Sequence, residues 1–152
     1  MTTQQLTRDN TSTNTGTNTG TIVDQYLGMW NEPDPTIRRE TIRSIFAAEA
    51  HHAVSAPIEM REAAHALGFP RLTMDIRGHA DLEFRVAQAY AEFVGSGQYR
   101  FESRSEARRV GQVVMFGWQM VTTADGEVVG GGTDVFVLDV AGRIVSDHQF
   151  VD

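Results

Sequence analysis

The sequence predicts an α+β domain in which helices come first and a run of antiparallel strands comes last. Three segments near the C-terminus (111–121, 128–139 and 143–151) alternate their residues with the period of a β-strand. Gly126 and Gly142 lie in the short turns between them, where tight hairpins favour glycine. The first half of the chain instead repeats its apolar residues at helical spacing. This separation of helices and strands is typical of α+β architecture.

Two helices are predicted at the start of the domain. The apolar stripe of the first helix consists of Ile22, Val23, Tyr26, Leu27 and Trp30. The segment 31–35 contains two prolines and ends this helix, because a residue that precedes proline disfavours the helical conformation. Asp34 or Thr36 can cap the second helix, whose stripe runs from Ile37 to Phe46.

The middle of the chain mixes short elements. Residues 50–56 alternate like a strand, which places His52 and Val54 on one face. A short helix is predicted over 59–67, a longer one from about Ala80 to Val94, and a strand over 99–103. The region 55–76 is interpreted as an insertion, which is either a lid over a pocket, a partner-contact element or an ordinary surface decoration.

Composition limits the possible functions. The 152 residues suit one domain, and the net charge of −7 argues against binding to nucleic acids or anionic membranes. The chain has no cysteine, which excludes thiolate chemistry, and no apolar segment approaches the length of a membrane span. A cytoplasmic location is the default expectation. Residues 1–20 are rich in Thr, Asn and Gly and are predicted to form a disordered tail before a single domain over 21–152.

Asp134 is the strongest candidate for a functional residue. It shares a strand face with Phe136 and Leu138, where an acidic side chain is costly without a partner or a purpose. Burial disfavours the charged form, so we expect the pKa of Asp134 to be raised. The alternative is a buried hydrogen bond that ties the sheet to a helix.

Five segments resemble the SnoaL-like polyketide cyclase and ketosteroid isomerase branches of the nuclear-transport-factor-2-like superfamily. They are 22–31, 46–50, 77–82, 116–120 (Phe-Gly-Trp-Gln-Met) and 133–145, and the resemblance covers nearly all of the chain from Thr21 onward. It implies a cone in which a curved antiparallel sheet wraps around the N-terminal helices, a cystatin-like α+β barrel. Such proteins commonly form homodimers by pairing their sheets.

The resemblance also implies roles for individual residues. Asp134 falls where isomerase relatives carry a protonated aspartic acid, and Tyr26 falls where they carry the tyrosine of the same oxyanion hole. A neutral carboxylic acid and a phenol can both donate hydrogen bonds to a developing enolate. The usual base position of the isomerases is occupied by Val54, which cannot accept a proton. His52 could replace that base, because the ordinary histidine pKa of about 6.5 suits proton exchange at neutral pH.

We also predict the wall of a hydrophobic pocket between sheet and helices. Its expected lining, besides Tyr26, His52 and Asp134, consists of Trp30, Val54, Tyr90, Phe116, Trp118, Met120 and Phe136. No metal site is predicted, because His51 and His52 are adjacent on a strand and point apart.

Two functions remain open at the level of sequence. One is a cyclase- or isomerase-like enzyme that acts by proton transfer, without a cofactor, on a polyketide- or steroid-like substrate. The other is a non-catalytic module that binds a ligand or dimerises. The valines on the opposite strand faces (Val113, Val121, Val135 and Val137, with Met115) predict that the outer side of the sheet meets a second copy of the chain.

Overall fold

The computed structural model describes residues 15–69 and 71–152. Its helices are α1 (Thr15–Asn31), α2 (Pro35–Ile45), α3 (Ile58–Ala66) and α4 (Gly78–Ala89), and a π-helical turn (Tyr90–Val94) extends α4. Its strands are β1 (Phe46–Ser55), β2 (Thr73–Arg77), β3 (Tyr99–Ser103), β4 (Arg108–Val110), β5 (Val113–Thr122), β6 (Val128–Leu138) and β7 (Ile144–Val151). The predicted α+β class is therefore confirmed.

The first helix begins earlier than the sequence pattern predicted. α1 starts at Thr15 rather than near Thr21, and Thr19 is already buried at 4% exposure. A helix that is stabilised by packing can extend through residues of low helix propensity. Residues 1–14 of the predicted tail lie outside the described residues, so the disorder of that part stays a prediction.

The seven strands form one open, curved sheet. The strand order is β2-β1-β7-β6-β5-β3, and β4 pairs with the N-terminal end of β5. All pairs are antiparallel except β1 with β7, which run parallel. The parallel pair corrects the expectation of a purely antiparallel sheet. It arises because the helical segments between β1 and the later strands allow the chain to return in the same direction.

Two boundaries differ from the sequence prediction. β1 begins at Phe46 rather than Ala50, because the backbone of Phe46 pairs with Ile144 and its ring is fully buried. Tertiary pairing thus overrides the helical spacing of Phe46. Residues 73–76, which were assigned to the insertion, belong to the edge strand β2, in which Met74 pairs with Val54.

The core lies between the concave face of the sheet and helices α1, α2 and α4. Tyr26 is at its centre, with its ring 4.8 Å from Phe136 and 5.7 Å from Phe116, measured between centroids. The rings of Trp30 and Phe46 lie on other sides, at 5.9 Å and 6.2 Å. Aromatic pairs at such separations stabilise a core beyond their buried area, and here they fix the position of one phenol.

Gly132 allows β6 to pass beneath Trp118. A Cβ atom at Gly132 would lie 2.2 Å from the carbonyl oxygen of Phe150 and 2.6 Å from the Trp118 ring. At Gly130 the nearest atom to such a Cβ would be the Met120 methyl, 3.9 Å away. The register of β5 and β6 shifts between Met120 and Val121, which marks a β-bulge beside this glycine run.

We predict that Gly132→Ala lowers the free energy of unfolding by about 1–3 kcal/mol or more, because a methyl group there overlaps backbone and indole. Gly130→Ala is the matched control and should change stability by less than about 1 kcal/mol. Urea denaturation of both variants checks the difference. Equal stabilities for the two variants would show that Trp118 does not lie against Gly132.

Candidate functional site

Strand register brings four polar side chains together on the concave face of the sheet. The parallel pairing of β1 and β7 sets His52 opposite Asp147 and Val54 opposite Gln149. The antiparallel pairing of β6 and β7 sets Asp134 opposite Gln149. Because these residues lie in neighbouring rows of one face, their side chains meet beneath helix α1.

Asp147 is the centre of the hydrogen-bond network. Its Oδ2 atom accepts a hydrogen bond from the Tyr26 hydroxyl at 2.7 Å and lies 2.6 Å from Nδ1 of His52. Asp147 and His52 are both fully buried. A carboxylate can only accept, so Nδ1 of His52 carries the proton in this contact. Nε2 of His52 and Oδ1 of Asp147 are buried and have no partner among the described residues.

Asp134 forms a second, adjoining centre. Its Oδ1 accepts a hydrogen bond from the indole nitrogen of Trp118 at 3.0 Å, and its Oδ2 lies 3.4 Å from the amide nitrogen of Gln149. Burial, and then the negative charge of Asp147, raise the pKa of Asp134 well above its ordinary value. The hydrogen bonds from Trp118 and Gln149 oppose that shift only in part. Asp134 is therefore favoured in its neutral form.

Tyr26 connects the two centres. Burial raises the pKa of its hydroxyl well above the ordinary value, and the nearby groups Asp134 and Asp147 raise it further. The phenol consequently remains protonated and available as a hydrogen-bond donor at any physiological pH.

A cavity of about 480 Å³ opens beside this network. Tyr26, Trp118 and Gln149 belong to its wall, so three residues of the network border the cavity directly. Asp134 and His52 are fully buried and lie in the layer behind. The wall is otherwise largely apolar, as ligand sites commonly are.

The cavity contains only part of the predicted lining. Trp30, Val54, Trp118 and Met120 are in its wall with Tyr26, in keeping with the prediction. Phe116, Tyr90 and Phe136 are not in this wall, and neither are His52 and Asp134.

Phe116, Phe136 and Tyr90 are absent from the cavity wall for different reasons. Phe116 and Phe136 are at most 1% exposed and pack against the ring of Tyr26, which lies between them and the cavity. Tyr90 begins the π-helical turn, and its ring lies 4.7 Å from the Arg38 guanidinium. A wider helical turn changes the direction in which the following residues point.

The segment 55–76 contributes to the cavity. Ala56, Pro57 and Ile58 line it at the start of α3, and Met74 lines it from β2. The side chain of Ile58 is nevertheless 57% exposed. This position fits the interpretation of the segment as a cover over the mouth of the pocket.

Two site residues were missed by the sequence reasoning, Asp147 and Gln149. A bulge lies opposite Val137 and Leu138, where Ile144 and Ser146 pair and Val145 does not. This extra residue inverts the alternation of β7, so Asp147 and Gln149 point inward while His148 is exposed. The sequence did contain a signal for them, because Asp147 and Gln149 are polar and lie two positions apart near the end of a strand.

The other histidines lie away from the site. His51 faces the outer side of the sheet, as predicted, where it contacts Asp75 and lies 6.3 Å from His148 between ring centroids. Among the described residues, no group of three or more His, Cys, Asp or Glu side chains could hold a metal ion. In the same part of the chain, no helix combines the length and the hydropathy of a membrane span.

Comparison with solved structures identifies the fold. A candidate isomerase of the SnoaL-like family from Agrobacterium tumefaciens is 27% identical, with a TM-score of 0.70 over 90% of this chain and 98% of that protein. A SnoaL-like protein of unknown function from Burkholderia thailandensis is 14% identical, with a TM-score of 0.61 over 91% and 98%. A candidate polyketide cyclase from Sinorhizobium meliloti is 17% identical, with a TM-score of 0.53 over 85% and 93%.

Other matching structures are described as cystatin-like and NTF2-like. No protein-family model and no curated protein sequence matches the chain. The resemblance to SnoaL-like and NTF2-like proteins is confirmed at the level of the fold, which hosts several unrelated functions.

Proposed function

We propose that this protein is an enzyme that moves protons on a hydrophobic small molecule, in a cyclase- or isomerase-type reaction that needs no cofactor. The observation that carries the proposal is the pair of buried carboxyl groups beside an apolar cavity. One of them, Asp134, is held neutral, while the other, Asp147, orients a histidine. Two groups whose environments separate their protonation states are the usual basis of acid–base catalysis.

His52 is the base in this proposal. Asp147 holds the proton on Nδ1, which leaves the lone pair of Nε2 free to accept a proton. The ring of Trp30 lies 6.2 Å from that of His52 and forms part of the cavity wall. The proposal therefore requires a rearrangement of the cavity wall, in which Trp30 is the neighbouring ring, that exposes Nε2 to the substrate.

The reaction is an enolisation. Nε2 of His52 removes a proton from a carbon next to a carbonyl group, and the C–H electron pair forms the carbon–carbon double bond of an enolate. Asp134 stabilises the enolate oxygen with a hydrogen bond, Tyr26 adds a second when its hydroxyl turns from Asp147 to the substrate, and His52 returns its proton to another carbon of the substrate. Polyketide- and steroid-like ketones have the required carbonyl, and a cavity of about 480 Å³ is within the size range of small-molecule sites.

One observation favours a second candidate function. The two groups that must exchange protons, Asp134 and His52, are both 0% exposed. A protein that only binds its ligand would need no access to either group. A non-catalytic binding module is therefore the alternative, with Tyr26, Trp118 and Gln149 as its polar contacts.

We further propose a homodimer formed through the outer face of the sheet. Val113 and Met115 on β5 are 41% and 38% exposed, and they pair across to Val137 and Val135 on β6. Phe150 on β7, beside Thr133, is 57% exposed. Val121, which we had placed on this face, is fully buried, because strict alternation ends at the register shift before it. The remaining apolar residues Val113, Met115, Val135 and Val137 are neighbours across β5 and β6 and form the centre of the proposed interface.

The proposed chemistry predicts deuterium exchange. Incubation in D₂O with a panel of aromatic β-diketones and β,γ-unsaturated steroid ketones should place deuterium on the carbon next to a carbonyl, as detected by mass spectrometry. His52→Gln and Asp134→Asn should each slow this exchange by about 10²- to 10⁴-fold. His148→Gln, on the exposed outer face, is the control and should exchange at the normal rate. Ligand binding without exchange across the panel would favour the binding module.

The dimer proposal predicts that Val137→Glu produces monomers, because a two-fold axis brings two new carboxylates close together. Val140→Glu is the matched control, since Val140 is 99% exposed in the turn after β6. Sedimentation velocity at micromolar concentration should find a dimer for the unmodified protein and for the control. A monomeric unmodified protein would rule out the proposal.

A further inference from the structure

Arg85 is an arginine in the cavity wall with an unsatisfied donor. It lies on α4, on the helical side of the cavity and across from the sheet that carries Asp134. Its Nε atom is buried and has no hydrogen-bond partner among the described residues. Within that same part of the chain, Arg85 forms no ion pair of 4.0 Å or less.

Several other arginines of the protein form ion pairs with acidic residues. Arg39 contacts Glu83 at 3.1 Å, and Arg104 contacts Asp152 at 2.6 Å. Both of these pairs are more accessible to water than Arg85, whose burial lowers its pKa. A buried donor without an acceptor costs about 1–3 kcal/mol, and more for a charged group. The position of Arg85 is therefore costly unless something else occupies its donors.

The surroundings of Arg85 hold the guanidinium in place without satisfying it. Its central carbon lies 5.3 Å from the centroid of the Trp30 ring, a cation–π contact on one side. Glu92 is close enough to favour its charged form, although it forms no ion pair with Arg85. The acidic residues in the cavity wall are Glu59 and Asp152; neither forms an ion pair with Arg85, and Asp152 is engaged by Arg104.

We propose that the cavity binds a hydrophobic molecule that carries a carboxylate, and that Arg85 holds this carboxylate. The inference rests on the proposed function only in using the same cavity. A guanidinium matches a carboxylate because its N–H groups can donate two parallel hydrogen bonds. The apolar side chains Phe93, Phe101 and Met120 are then available to the body of the ligand. Anchoring one end at α4 directs the rest of the molecule toward Trp118 and Gln149.

A matched pair of probes tests the proposal: 2-naphthoate, which is an anion, and 2-naphthamide, its neutral isostere. Two-dimensional ¹H–¹⁵N NMR titration gives both dissociation constants and locates the ligand. The side-chain Nε–H of Arg85 reports contact with the anion, and the indole N–H signals of the two tryptophans, Trp30 and Trp118, report occupation of the cavity. We expect 2-naphthoate to bind more tightly than 2-naphthamide and to shift the Arg85 signal.

Variants of Arg85 distinguish binding of the carboxylate by the guanidinium from binding of the apolar ring by the cavity. Arg85→Met should weaken 2-naphthoate binding by about 10- to 100-fold, the range for hydrogen bonds to charged groups, and leave 2-naphthamide within about two-fold. Arg85→Lys keeps the charge and should recover part of the preference for the anion. Arg43→Met, a surface change on α2, is the control and should bind both probes as the unmodified protein does. Thermal unfolding confirms that each variant is folded.

Three outcomes would overturn the inference. In the first, the two probes bind with equal affinity and Arg85→Met changes neither affinity. The cavity would then bind hydrophobic ligands without an anion site, and the proposed function would stand. Failure of both probes to shift the tryptophan signals would contradict the inference and weaken the proposed function as well. Anion preference that survives Arg85→Met would place the anion elsewhere.

Discussion

The architecture of the site depends on one buried oxygen atom, Oδ2 of Asp147. This atom accepts hydrogen bonds from the Tyr26 hydroxyl on α1 and from Nδ1 of His52 on β1. Asp147 itself belongs to β7. One carboxylate thus fixes a helix against the only parallel pair of strands in the described part of the sheet. Removing a hydrogen-bond donor from this buried carboxylate is expected to be destabilising, because the acceptor is then left unsatisfied away from water. The network is therefore both a structural tie and a chemical centre.

This arrangement determines the state of Asp134. Two carboxyl groups beside the same phenol cannot both ionise easily in a site shielded from water. Asp147 accepts short hydrogen bonds from the Tyr26 hydroxyl and from Nδ1 of His52, at 2.7 and 2.6 Å, whereas Asp134 has only the donors Trp118 and Gln149, at 3.0 and 3.4 Å. The proton therefore favours Asp134. Both of these donors also border the cavity, so a ligand that displaces either of them changes the environment of the acid.

The sequence was sufficient to predict the fold class, the hairpins and the inward direction of Asp134, His52 and Tyr26. These predictions rest on local periodicity, which short strands and amphipathic helices preserve. Prediction from periodicity failed where the backbone is irregular. The bulge at Val145 inverts the phase of β7 and conceals Asp147, and the π-helical turn at Tyr90 moves that ring away from the cavity. Alternation along a strand also cannot distinguish a residue beneath Tyr26, such as Phe136, from one beside the cavity.

A further limit of sequence reasoning concerns the base. At the position where the isomerase pattern requires a carboxylate, Val54 offers none, and its side chain lines the cavity instead. Asp134 and Asp147 of the candidate site lie on β6 and β7, and His52 is on β1. Only the strand pairing, which joins residues distant in sequence, shows that they form one site.

The most direct test of this account is the titration of Asp134, followed by ¹³C NMR of its carboxyl carbon. We predict a pKa well above the ordinary value for aspartic acid, because burial and Asp147 both oppose ionisation. The unfolded chain ionises first as the pH rises above about 4, so this group should reduce stability progressively from there to its folded pKa. Asp134→Asn should remove that part of the pH dependence. A pKa at or below the ordinary value would contradict the account, because Asp134 would then be an ionised structural acceptor.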